Sequence, residues 1–227
     1  MDIETLLTFG SRLIILFMCI PVHEFAHAWA ATKLGDDTPR YQNRLTLNPL
    51  AHLDPVGSLG IFLCGFGWGK PVQVDPRRFD RKHTMRGGMA LTAAAGPISN
   101  LIMALIATIV HKFLSGAALS SMNEAIGWLL LICHAFITIN IGLAVFNLIP
   151  VGPLDGQKIL SYFLPERINA KIDQYQMPLT IVLLTLLTFS DLLDGPVGWM
   201  EGGIFWLMQK LTFWADPIVN SIFKASL

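Results

Sequence analysis

Residues 6–34 read LLTFGSRLIILFMCIPVHEFAHAWAATKL. About 20 mainly apolar residues suffice to cross a hydrocarbon core of about 30 Å, so this run predicts a membrane-spanning helix. The preceding Met1-Asp2-Ile3-Glu4 has no positively charged leader character and no small-residue cleavage site follows. The helix is therefore expected to remain in the mature protein, not to leave as a signal peptide. Outward along the chain, two more segments qualify, from about Gly88 to Phe113 and from about Ile126 to Ile149. A fourth, about Met177 to Leu193, is shorter but almost wholly Leu, Ile, Val and Thr. Trp199 to Phe223 is apolar yet interrupted by Glu201, Gln209, Lys210 and Asp216, and it fits an interfacial helix as well as a fifth span.

Composition agrees with that reading. Of 227 residues, 53% are hydrophobic and 14% charged, against about 25% charged in a soluble domain. The expected fold is an α-helical polytopic membrane protein in a single domain, residues 1–227. Its core of three transmembrane helices, with the loops between them, covers about 6–165, and one or two C-terminal helices cover about 177–223. The formal net charge is zero, which gives no basic field for nucleic acid. Cys19, Cys64 and Cys133 are too widely spaced for a CxxC pair or a disulfide framework and read as small buried hydrophobes.

Between the first two spans, Arg44 to Asp75 reads RLTLNPLAHLDPVGSLGIFLCGFGWGKPVQVD. Its prolines and glycines are too dense for a long helix and suit short strands with turns. Irregular backbone is tolerated at membrane depth only where protein or a wet cavity satisfies it. A membrane-associated, re-entrant β segment meets both conditions; a loop lying on the membrane surface is the alternative. Within it, Trp68 to Val74 could act as an open strand edge that pairs with an unwound substrate. Nine of the 16 Lys and Arg residues, Lys33, Arg40, Arg44, Lys70, Arg77, Arg78, Arg81, Lys82 and Arg86, fall between the first two spans. By the positive-inside rule that side is cytoplasmic and the N-terminus lies outside, with the cell membrane as the expected location.

The chemistry begins at His23-Glu24-Phe25-Ala26-His27. Residues four apart share a helix face, so both imidazoles can bind one Zn²⁺, with Glu24 as general base toward water. Ionisable groups in a span are costly and usually functional; the alternative is two interhelical hydrogen-bonding histidines and a snorkelling glutamate. Pro21 is expected to distort the helix entering this motif. A third ligand is needed, and Asp155 in Asn147-Leu148-Ile149-Pro150-Val151-Gly152-Pro153-Leu154-Asp155-Gly156 can turn back from the end of the third span. A Pro-Leu-Asp-Gly turn is also a common interfacial loop.

HEFAHAW and NLIPVGPLDG, with RLTLNPLAHLDPVGSL and AAAGPISN between them, resemble the site-2 protease family of intramembrane zinc metalloproteases. The resemblance runs from about Leu13 to Gly156. It implies that His23, His27 and Asp155 bind one zinc, that Glu24 activates water, and that Asn147 contacts the substrate backbone. It also implies transmembrane protein substrates hydrolysed within or beside the bilayer. Members often carry a PDZ or CBS module; none is visible, so the chain looks like a short form. His52 is a further candidate, to stabilise an oxyanion or orient substrate. Asn140 lies on the same face as Asn147 and serves equally as a tie between helices. Asp54 reads as a turn residue, and His83, His111 and His134 are not assigned to the metal. Two other functions remain open: a membrane metal transporter or channel using the same ligands, and a non-catalytic binder of transmembrane partners.

Overall fold

A computed structural model describes residues 3–65, 67–121, 123–190, 192 and 194–223. Met1, Asp2 and the expected end of the fourth apolar segment at Leu193 lie outside these. The first span is one long helix in three parts: α1 (Ile3–Ile14), a π-helical turn (Ile15–Cys19) and α2 (Ile20–Lys33). Pro21 stands just after the π turn and has no N–H to donate, so the expected distortion takes the form of a widened turn entering the motif. Helix α3 (Thr38–Tyr41) follows, then α4 (Pro49–His52), α5 (Pro55–Cys64) and a 3₁₀ turn at Pro76–Arg78. The second and third spans are α6 (Met85–Ser121) and α7 (Glu124–Leu148), with Asn123 capping α7 through the Ala125 N–H. Helices α8 (Asp155–Phe163), α9 (Glu166–Gln174), α10 (Gln176–Phe189), α11 (Asp194–Leu211) and α12 (Ala215–Phe223) complete the order.

Among the described residues, three helices are long and apolar enough to cross a membrane: Thr5–Lys33, Met85–Ser120 and Glu124–Leu148. Helix α6 is central, packing against α2, α7, α8 and α12. Lipid supplies no hydrophobic drive between helices, so close packing must hold them. Ala104 and Ala107 on α6 and Ala144 on α7 are buried at these contacts, and Ile137, Ile141 and Val145 fill the space beside them. Met208 of α11 joins the same cluster. Trp199 to Phe223 is thus not one helix: α11 lies along α7 and α6, and α12 docks on the far end of α6. Lys112 fixes that end, donating to Asp216 Oδ1 at 2.7 Å and to Thr212 O at 3.2 Å.

The expected re-entrant β segment is not present. Among the described residues no strand forms, and a single antiparallel bridge, Leu53 with Gly69, is all the β pairing. The supposed breakers start helices instead. Asn48 and Asp54 each accept from a backbone N–H, of Leu50 and Gly57, and each is followed by proline at the first helical position. An Asx cap followed by proline is a helix-start signal, and Asp54 is therefore a cap as well as a turn residue. Helix α5 ends on Gly65 in the left-handed conformation. Its last carbonyls meet Arg12 of α1, which donates to Phe62 O at 2.5 Å. Residues 67–75 then return as an extended strap. It lies so close to α5 that a Cβ on Gly57 or Gly67 would strike the facing backbone. Of the three cysteines only Cys19 is buried; Cys64 is exposed at the end of α5, which corrects the expectation for it.

Candidate metal centre

Helix α2 carries His23 and His27 one turn apart, and α8 begins at Asp155, after the break at Ile149-Pro150. Gly156 allows that start, because a Cβ there would run into the Leu148 and Ile149 carbonyls. The result is a triangle of buried donor atoms. The two Nε2 atoms lie 3.0 Å apart and each lies 3.2 Å from Asp155 Oδ2. Ligands at about 2.0–2.2 Å from a tetrahedral zinc would stand about 3.3 Å from one another, so the spacing fits.

Hydrogen bonds on the far side of each ring show why these atoms need a cation. His27 Nδ1 donates to Thr92 O at 2.8 Å, since a carbonyl can only accept. His23 Nδ1 lies 2.6 Å from Asn100 Oδ1 and donates likewise. A neutral imidazole with its proton on Nδ1 has a lone pair on Nε2. Three lone-pair atoms therefore face one another, and Asp155 Oδ2 is buried without a hydrogen bond. Among the described residues, His23, His27 and Asp155 are the one group of three or more such side chains placed to hold a metal ion.

A cavity of about 440 Å³ opens on this centre. Its wall includes Glu24, Asn147 and Lys158, with Trp68, Pro71 and Val72 of the strap. Glu24 Oε2 accepts from the Val72 N–H at 3.0 Å, so the strap is tied to the residue between the two histidines. Lys158 Nζ stands 3.6 Å from Asp155 Oδ1. Asn147 Nδ2 donates to Leu143 O at 2.9 Å, which leaves its oxygen to accept.

His52 and Asn140 are placed elsewhere. His52 is fully buried, but its Nε2 is committed to Thr46 O at 2.7 Å and it does not line the cavity. Its carbonyl instead accepts from the Lys70 N–H at 2.7 Å, which anchors the strap. Asn140 lies behind His23 and also does not line the cavity. Asn100, Thr92 and Gly96, all in or beside AAAGPISN, join the candidate residues only in the structure. A Cβ on Gly96 would come within 2.5 Å of both imidazoles. The signal for Asn100 was available: a lone amide in an apolar helix, the argument already applied to Asn140.

Residues 120–188 match the profile described as Peptidase family M50. A Bacillus subtilis protein named "Putative zinc metalloprotease YwhC" is 39% identical over 173 residues, 76% of this chain and 78% of that protein. "Putative zinc metalloprotease Rip2" of Mycolicibacterium smegmatis is 30% identical over 179 residues, 75% of this chain and 64% of that protein. The Rip2 protein of Mycobacterium tuberculosis strain H37Rv is 29% identical over 199 residues, with shares of 86% and 71%. No solved structure matches. With the motifs, the donor triangle and these relatives in agreement, the chain belongs to peptidase family M50, the site-2 proteases.

Proposed function

We propose that the protein is an intramembrane zinc endopeptidase that hydrolyses transmembrane protein substrates within or beside the bilayer. The observation that carries this reading is the triangle of Nε2, Nε2 and Oδ2 atoms facing a cavity that Glu24 also lines. His23, His27 and Asp155 would hold the zinc. When bound, zinc acidifies water and polarises a carbonyl, and its site needs an open fourth position. Glu24 serves as general base: Oε2 is held by the Val72 amide, and Oε1 takes the proton of the attacking water and passes it to the leaving amine. Asn147 accepts from a substrate backbone N–H through its amide oxygen. A transmembrane helix hides its peptide bonds, so it must unwind locally to enter the cavity. The positive residues around the loop between the first two spans support a site toward the cytoplasm and an N-terminus outside.

The test is Glu24→Gln. Zinc content of the purified variant should stay near one per chain, while cells carrying it accumulate a membrane-bound precursor that wild type removes. Cleavage at the wild-type rate by Glu24→Gln would end this reading. Undiminished metal transport by the variant would favour a transporter instead.

A further inference from the structure

The three spans share one polar cluster behind His23, and both its amides are fully buried: Asn100 on α6 and Asn140 on α7. Asn140 Nδ2 donates to Phe136 O at 2.9 Å and lies 3.4 Å from Cys19 Sγ of the first span. A carbonyl only accepts, so Phe136 O decides which end of the Asn140 amide faces it. Asn140 Oδ1 is thereby turned to Asn100, whose Nδ2 donates to it at 2.8 Å. That leaves Asn100 Oδ1 toward His23 Nδ1 at 2.6 Å. An oxygen at this position requires the ring proton on Nδ1 and the lone pair on Nε2, facing His27 and Asp155.

We propose that Asn140 is a positioning residue for the metal centre: it fixes the orientation of the Asn100 amide and, through it, the tautomer of His23. It touches neither the cavity nor a ligand atom. Without its oxygen, Asn100 can present Nδ2 to His23, which moves the ring proton to Nε2 and directs it at the metal position. Outer partners of metal-bound histidines commonly set tautomer and ring plane. Here the orientation is set one residue further out, by a backbone carbonyl of the third span. A simple interhelical tie would need no such direction. The proposal rests on His23 being a ligand.

The experiment is a cycle of variants of the full chain in detergent, read as zinc affinity by chelator competition and as the visible spectrum of the cobalt-substituted protein. Asn140→Leu should weaken zinc about tenfold, the low end of the range for outer-shell changes. In an Asn100→Leu background no amide stands between Asn140 and His23, so no orientation remains to be set. There Asn140→Leu should change affinity by less than about twofold, the independence expected of uncoupled sites. The cobalt spectrum should likewise shift in Asn140→Leu and show no further shift when Asn140→Leu is added to Asn100→Leu. Equal losses in both backgrounds would mean that Asn140 only packs the helices and would overturn the proposal. No loss in either background would overturn it too. If Asn140→Leu does not fold, Asn140→Ala removes the amide without adding volume and replaces it in the cycle. Full zinc retention by His23→Ala would remove the ligand assignment, and the proposal with it.

Discussion

At the scale of single residues, the metal centre depends on what is missing as much as on the ligands. Gly96 lets α6 approach α2 until its backbone lies against both imidazoles, and a methyl group would come within 2.5 Å of His23 and His27. Gly96→Ala should therefore cost about 1–3 kcal/mol of overpacking strain and lower zinc affinity at least about tenfold. Metal analysis of the purified variant checks this, and full occupancy would show that α6 can retreat. Asp155→Ala deletes the one carboxylate of the triangle and leaves two neutral imidazoles. Its zinc content should fall to near zero at nanomolar free zinc, whereas Glu24→Gln keeps it, because the base lines the cavity without joining the triangle.

At the scale of elements, the strap at residues 67–75 is the part whose role changed most between sequence and structure. As an open strand edge, it would offer its amides to a substrate. The Lys70 amide is instead bound to His52 O, the Val72 amide to Glu24, and the Asp75 amide to Asp36 Oδ2 at 2.7 Å. Buried Arg44 adds a bond to Lys70 O at 3.2 Å. The strap thus orients Glu24, the base of the proposed reaction. A hydrogen bond to a charged group is worth about 1.5–3 kcal/mol, so Val72→Pro should slow cleavage roughly ten- to a hundredfold with zinc retained. Val72→Ala, which keeps the amide, should stay near wild type. Because the amide serves Glu24, an extended peptide and a helical substrate should suffer alike. A loss confined to the helical substrate would restore the strand-edge role. Arg12 has a comparable part at the end of α5, where it donates to Phe62 O.

For the whole molecule, the relation of the spans fixes the depth of the site. His23 and His27 lie toward the end of the first span and Asp155 just beyond the end of the third, and α6 lies between with Thr92 and Asn100. With the native cysteines replaced, a labelling tag near Arg81 or Lys171 should react only from the cytoplasmic side and one near Ser120 only from outside. Reaction of the Arg81 and Ser120 tags from the same face would break the assigned orientation. Replacement of Cys64 matters most for this experiment, since its thiol is exposed.

Length and apolar composition alone determined the three spans, because an apolar run of that size has few stable forms in lipid and the helix is one that satisfies its own backbone. Spacing alone put His23 and His27 on one face, since four residues make about one turn. The Asn-Pro and Asp-Pro steps at Asn48 and Asp54 were ambiguous at that level, as each fits a turn and a capped helix equally. Tertiary structure decided for helices, partly through Arg12, which donates to a carbonyl fifty residues away. The pairing of each imidazole with its partner was likewise hidden, although Asn100 stands out as a lone amide, because the partners lie 65 and 77 residues away along the chain. Which side chain stands behind a ligand depends on how α6 and α7 rotate against α2, and that rotation is set by the packing of all three helices together.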